Sequence, residues 1–471
     1  MINMDFVKQN KFMCLVFALD IIAIIVAFLL HDPILIDSME HLRDCYLVSI
    51  GKVPYRDFFE HHHPLLWYTF APLIHILPHN ALLALYVVKG SSLLISLLTL
   101  YVLYMIVRDF FGERELYLYF LLCLLAFFPI WYIFSSFKPD VCARLCYFGG
   151  LYLFFSYIRQ QKTSKLVWCA FLLFTAFLFL QNFLFQAGII AIVAITLYYN
   201  NRQFYRDALL ASCLPLLITF LLLYVFKAND LLAIYFDLNW TFNTKVAHYL
   251  FFDMSRVLYY WALHIILILM VAIYQLRKNP SIYYKITFVL FCSELLLNVA
   301  AQAPYPHYLT LLMTFGALLT AQPLLRFWNS LPVLYIKILI IFIPVAHFIF
   351  LPYKTSWYNL KSFQLVNQSP DNSIFDFAYK LMNIYEPNTN YYTVITNRLI
   401  YGDNMMFNRF PDYDINKFIE QHKTKFITLD DNINIDDLPQ NRFVVSKETF
   451  DKYKKVRHNL YQRKDTIENE D

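Results

Sequence analysis

The chain has 471 residues, of which 59% are hydrophobic and 15% charged, with a formal net charge of +5 and a mean hydropathy of +0.47. Soluble domains average roughly 45–50% apolar and 25% charged residues, so this composition excludes a string of soluble domains and marks an integral membrane protein. Residues 1–351 hold 23 basic and 17 acidic side chains and residues 352–471 hold 16 and 17, which divides the chain into a membrane body and a water-soluble tail.

Apolar runs long enough to cross about 30 Å of hydrocarbon recur along the body. They lie near 12–30, 81–107, 116–134, 141–158, 166–180, 183–199, 207–226, 257–275, 283–301, 308–324 and 332–351, which predicts an all-α polytopic protein of about 11 transmembrane helices. The first run follows Lys8 and Lys11 without a small-residue cleavage site and is read as a retained span. The stretch 64–77 is short for a crossing and is interrupted by Pro72 and His75, so it is expected to lie in the interface. Alternate loops then place Arg108 and Arg114, Arg159 to Lys165, Arg202 and Arg206, Arg277 to Lys285, and Arg326 on the side of Lys8 and Lys11. By the positive-inside rule that side is cytoplasmic. Residues 31–80, 135–140, 227–256 and 301–307, with the tail, are then extracytoplasmic on a multi-pass protein of a bacterial inner or plasma membrane.

The tail, 352–471, mixes strand patterns at 391–396, 426–429 and 443–446 with helical ones at 373–383, 414–422 and 447–457, as expected of a small α/β domain, and from Arg463 onward it is expected to be disordered. Eight glycines in the whole chain leave no room for a Rossmann fingerprint or a Walker loop, which disfavours a nucleotide-sugar donor or ATP drive. None of the eight cysteines forms a C-x-x-C pair, and Cys142 and Cys146 share a helix face as packing residues do. Basic residues sit in short loop clusters with no continuous stripe, so nucleic acid is disfavoured as a partner.

The unusual polar motifs fall on the extracytoplasmic side. Met39, Leu42, Tyr46 and Ile50 recur at helical spacing, which predicts a short amphipathic helix on the membrane surface, stopped by Gly51. Asp37 then occupies its N-cap and Glu40 the third position, a capping box. Asp37 reads two ways: as a cap alone, or as an acid facing outward over a cavity and placed to take a proton from an acceptor hydroxyl. Downstream come Gly51, Pro54-Tyr55-Arg56-Asp57-Phe58-Phe59-Glu60 and the run His61-His62-His63-Pro64, where Arg56 and the imidazoles, with Arg43 and Lys52, offer donors to a phosphate.

This order of an early Asp, a short helix, and Gly-x-x-Pro-Tyr-Arg-Asp-Phe-Phe-Glu-His-His-x-Pro-Leu-Leu-x-Tyr before many spans resembles the GT-C superfamily of membrane glycosyltransferases. The resemblance is to the branch with the protein O-mannosyltransferases and the lipid A aminoarabinose transferases. It implies a sugar donor on a polyprenyl phosphate, an acceptor that is lipid, glycan or protein, and Asp37 as a catalytic residue. Phe137-Lys138-Pro139-Asp140 looks like the second outer loop whose acidic residue, here Asp140, joins the site, and Pro304-Tyr305-Pro306-His307-Tyr308 resembles the pair that opens a late span. Glu40, Arg56, Asp57, Glu60, His61, His62, Lys138, Tyr305 and His307 are accordingly expected to bind substrate. The sequence departs from the family at His63-Pro64, where relatives have Pro-Pro, and at Gln181-Asn182, where they often place a Lys. The phosphate then falls to Lys138, Arg144 or Arg56. The resemblance raises a single cofactor, a divalent metal ion, for which Glu60, His248 and His307 offer ligands.

Ionisable groups within the predicted spans cost several kcal/mol, about 2.5–3.5 on insertion scales, unless paired or wetted. Lys89 and Arg144 lie near outer ends and are expected to snorkel; Asp20 and Glu294 are deeper and are expected to face the bundle interior in an ion pair. The same deep charges keep open a carrier or flippase for lipid-linked sugars, and an envelope polysaccharide polymerase is a closer alternative.

Overall fold

The computed structural model describes residues 36–58, 60–112, 136–243, 254–278, 281–301 and 309–330 of the body, and 363–368, 374–376, 414–429, 434, 436, 445–457 and 460–467 of the tail. The predicted spans 12–30, 116–134 and 332–351, the strand 391–396, and Asp20, His248, Tyr305 and His307 lie outside them.

Helix α1 (Ile36–Ser49) packs on α2 (Leu65–Ile76), and α3 (Ala81–Ile106) follows, running on as a wider π turn to Phe111. Then come α4 (Pro139–Gln160), α5 (Thr163–Phe179), α6 (Phe183–Tyr198), α7 (Arg202–Ala228), the short α8 (Leu232–Phe236) with its π turn Asp237–Phe242, α9 (Met254–Lys278), α10 (Ile282–Ala301) and α11 (Leu309–Ser330). A helix thus stands at each predicted span that falls on described residues. Ala81–Phe111, Pro139–Gln160, Arg202–Ala228 and Ile282–Ala300 are long and apolar enough to cross a bilayer. Helix α2 has 12 residues. At 1.5 Å per residue it reaches about 18 Å, too short to span.

Local chemistry sets the ends. Asn80 caps α3 by accepting from Leu83 N at 3.1 Å. Asn201 caps α7 by accepting from Gln203 N and Phe204 N at 2.9 and 3.2 Å. Lys138 is extended because Pro139 follows it, and Pro139 opens α4 where its missing N–H costs nothing. Helix α4 ends on left-handed Gln161, φ 51°, and α5 returns antiparallel against it.

The α4–α5 seam closes on small residues: a Cβ on Gly150 would stand 2.9 Å from two Leu173 side-chain atoms. Gly150→Val should therefore destabilise the protein by about 1–3 kcal/mol through overpacking, read as a lower unfolding temperature in detergent. Helix α7 turns Leu209, Phe220 and Tyr224 outward as a lipid-facing helix does.

Two expectations about the outer segment change. Helix α1 does not lie on a membrane surface: every side chain from His41 to Leu47 is buried. The face bearing His41 and Asp44 is enclosed by the protein, while Asp37 at the start of the helix stays 47% exposed. The helix also starts one residue before Asp37, which puts that carboxylate within the first turn and not at the cap. Lys89 and Arg144 are buried, 1% and 5% exposed, and so do not snorkel. Glu294 is buried as expected, and among the described residues its side-chain partner is Gln186 on α6.

In the tail, β1 (Ile374–Asp376), α12 (Ile415–Gln421), β2 (Phe426–Thr428), α13 (Lys447–Phe450), β3 (Tyr453–Arg457), β4 (Leu460–Arg463) and α14 (Lys464–Ile467) build a four-stranded sheet of order β1-β2-β4-β3, with β1 parallel to β2 and the other pairs antiparallel. The expected strand at 426–429 and helix at 414–422 are present. The helix expected over 447–457 breaks after one turn into β3, residues 374–376 are strand, and Arg463 closes β4 instead of opening a disordered end. The alternation of β4, with Leu460 and Gln462 inward, provides the order that composition concealed.

Candidate active site

Three segments converge: the start of α1, the loop 51–64 and the turn before α4. Phe137 N donates to Ser38 Oγ at 2.9 Å, which docks the turn on the helix. Beside that bond Lys138 Nζ meets Asp37 Oδ2 in an ion pair. The ammonium is sealed and the carboxylate is 47% exposed, so the pair leaves its acid accessible and keeps its cation behind. Asp140 lies in the first turn of α4, where the helix N-terminus favours a negative charge, and its charge reaches His62.

Glu60 organises the loop. Its Oε1 accepts from His61 N at 2.7 Å, His62 N at 3.1 Å and His62 Nδ1 at 2.6 Å, and lies 3.3 Å from His61 Nδ1. The carbonyls of the histidine run are held in turn: Tyr55 OH donates to His62 O at 2.7 Å, and Gln181 and Asn243 amides donate to His61 O at 3.0 and 2.8 Å. His63 Nδ1 donates to Phe177 O at 2.8 Å, which leaves Nε2 to accept from Tyr235 OH at 3.0 Å and fixes the tautomer. The loop is thereby fastened to α5, to the turn after it, and to the short α8 with its π turn.

Burial alone would raise the Glu60 carboxyl, but the His62 imidazole and the bonds from both histidines hold it well below the ordinary range. Burial opposes charge on His62 as well, yet Glu60 outweighs it and His62 is raised. The two therefore stand as an ionised pair. Burial, reinforced by His62, pushes His61 down and His41 to about 3, so both rings are neutral. Burial and the Glu60 charge raise Glu40 and Asp44 well above the usual carboxylate range, favouring the neutral acids. Burial lowers His63 to about 4.

Arg56 and Asp57 stand apart from this cluster. Arg56 is exposed and grips Asp57 through two bonds of 2.9 and 3.0 Å, while Asp57 Oδ2 accepts from Val53 N at 2.7 Å. The Arg56 bonds hold the Asp57 carboxyl below its ordinary range. An exposed pair of this kind contributes little stability; its chief effect is to brace the tight loop around Tyr55, whose φ is 71°.

With this geometry, the chain is similar in fold to the crystal structure of ArnT from Cupriavidus metallidurans bound to undecaprenyl phosphate, with a TM-score of 0.50 and 14% identity over 67% of this chain and 60% of that one. The likeness is one of fold. No family model and no curated protein matches the chain. The aligned part spans about three-fifths of the ArnT chain.

Of the residues expected from sequence, Asp37, Glu40, Glu60, His61, His62, Lys138 and Asp140 form one neighbourhood, Arg56 and Asp57 lie at its solvent side, and Tyr305 and His307 are outside the described residues. Gln181, which stands where relatives often place a Lys, holds the His61 carbonyl. Sequence reasoning missed His41 and Asp44. Among the described residues, His41, Glu60 and His62 each turn one ligand atom into a space where these atoms lie within 4.8 Å of one another. Asp44 Oδ2 lies 3.9 Å from His41 Nδ1, and Trp67 Nε1 donates to the same nitrogen at 3.3 Å. The signal was available: positions 37, 41 and 44 recur at the spacing of one helix face, opposite the apolar face of Met39, Leu42 and Tyr46.

Proposed function

We propose that the chain is a GT-C-type glycosyltransferase that moves a monosaccharide from a polyprenyl-phosphate donor to a lipid, glycan or protein acceptor of the cell envelope. The observation that carries this reading is the Asp37–Lys138 ion pair, which joins the first and second outer segments in the order the GT-C resemblance requires. In the proposed reaction the acceptor oxygen attacks the anomeric carbon while Asp37 takes the hydroxyl proton. The bond from that carbon to the phosphate oxygen breaks, and its electron pair leaves with the polyprenyl phosphate. Lys138, with Arg56 and His61 or His62, stabilises the departing phosphate, while Asp140 and Glu60 orient the acceptor or the basic groups.

The resting ion pair gives the donor a role in arming the base. An arriving phosphate competes for Lys138 and frees the Asp37 carboxylate for the acceptor. Glu40, kept neutral, has a proton to donate to a sugar oxygen, and Asp57 braces Arg56. Tyr305 and His307 are assigned to substrate binding. Residues 1–351 form the catalytic body in this reading, and 352–471 a soluble domain on the same, extracytoplasmic side. Lys138→Met should weaken binding of polyprenyl phosphate and lower transfer by about 10²–10³-fold, the effect of removing one preorganised charge, measured as initial rate and as lipid retained on the purified protein.

The reading is tested in proteoliposomes with polyprenyl phosphate carrying a radiolabelled sugar and an envelope-lipid extract as acceptor. The expected result is label in a covalent product together with free polyprenyl phosphate. Label that changes leaflet while still attached to its lipid establishes a carrier and refutes the transferase.

A further inference from the structure

We propose that His41, Glu60 and His62 form a binding site for one divalent cation of the zinc class, with Asp44 orienting His41. This goes beyond the transferase reading and stands independently of it. It also differs from the arrangement the family resemblance suggests, because both imidazoles come from the outer segment that holds Glu60 and neither from His248 or His307.

Three observations carry the site. The first is the donor set: two imidazoles and one carboxylate suit zinc and its neighbours, whereas magnesium and calcium take oxygen ligands. The ligand atoms lie within 4.8 Å of one another. Bonds of about 2.0–2.2 Å would draw them together by side-chain adjustments of about 1 Å. The second is an excess of sealed acceptors. Glu60 Oε2 and Asp44 Oδ2 are buried with no hydrogen-bond partner among the described residues.

The third observation is support around the ligands. His41 sits on a fully buried helix turn, its ring edge against His62 with centroids 5.1 Å apart, and Trp67 backs it. Asp44 Oδ2 stands 3.9 Å from His41 Nδ1, too far for a hydrogen bond but close enough to reach that nitrogen by a small side-chain adjustment once the ring holds a metal. A cation held there would tie α1 to the histidine loop and add positive charge next to the phosphate-binding side of the cavity.

The test uses the full-length protein in detergent, stripped with a chelator, dialysed against zinc chloride and then metal-free buffer, and measured by elemental analysis. One zinc per chain is expected in the parent protein. His41→Ala and His62→Ala should lose it, Asp44→Asn should weaken binding by about 10–100-fold, and His248→Ala and His307→Ala should retain it. To separate ligation from folding, His62→Cys loaded with cobalt(II) should gain a thiolate charge-transfer band absent from the parent. Zinc no higher in the parent than in the His41→Ala/His62→Ala double variant, zinc lost from His248→Ala or His307→Ala but kept by His41→Ala, or a cobalt complex of His62→Cys without the band would each overturn the proposal.

Discussion

Asp37→Asn should leave the protein inserted and folded while lowering sugar transfer by about 10²–10⁴-fold, the range a positioned general base contributes. The substitution keeps the volume and an oxygen that can accept from Lys138, but the amide cannot take the acceptor proton. Asp37 is half exposed but Lys138 is sealed, so the substitution leaves that ammonium with an amide oxygen in place of its counter-charge, and a modest loss of stability should accompany the catalytic one. Asp37→Glu retains the chemistry but moves the carboxylate by one methylene, and should fall between the parent and Asp37→Asn. Initial rates of radiolabel transfer, paired with unfolding temperatures in detergent, separate the catalytic loss from a folding one. A parental rate in Asp37→Asn removes the residue from the role assigned to it.

Glu60→Ala should have the largest effect on stability of any single change in the outer segment. One carboxylate oxygen accepts from two backbone amides and the His62 ring, and the side chain is 1% exposed. Its removal leaves those donors buried and unmatched and strands the His62 charge, a loss of about 3–5 kcal/mol. Glu60→Gln retains one acceptor oxygen and should cost about 1–3 kcal/mol. Unfolding temperature should therefore fall in the order parent, Glu60→Gln, Glu60→Ala.

In the metal-free protein the same pair sets a pH dependence. Glu60, held below its ordinary value, stabilises fully above the unfolded carboxylate range, and that share is lost as pH falls through its folded value. His62, held above its ordinary value, stabilises fully below the unfolded imidazole range, and that share is lost as pH rises through its folded value. The difference between parent and Glu60→Gln should be greatest between about pH 4.3 and 6.5. A difference that is constant with pH would contradict the ion-pair assignment.

Membrane helices were legible because hydrocarbon demands about 20 apolar residues per crossing, a signal that depends on no partner: helices stand at the predicted spans 81–107, 141–158, 166–180, 183–199, 207–226, 257–275, 283–301 and 308–324. Membership of the polar cluster was legible in part, since Glu60 and the histidine run sit in a loop where such residues have no packing reason to be, and Asp37 stands at a helix start. The burial of α1 was not legible. Its amphipathic pattern is satisfied equally by water or by an internal polar cluster, and only tertiary contacts with Glu60, Trp67 and Lys138 decide between them. For the same reason His41 and Asp44 passed as a solvated face. The tail was the least legible part, because its short strands carry too few residues for a period to emerge and the β3–β4 hairpin is a pairing that composition does not encode.

The central claim, that positions 37 and 138 share one extracytoplasmic pocket, is tested most directly by placing cysteines at both in a background without the native cysteines. Intact cells would be treated with a short bifunctional maleimide, with and without prior exposure to a membrane-impermeant thiol reagent. The account predicts a 37–138 cross-link, found as a joined peptide by mass spectrometry and abolished by the impermeant reagent. Reaction of the two cysteines from opposite sides of the membrane, with no cross-link, would contradict it.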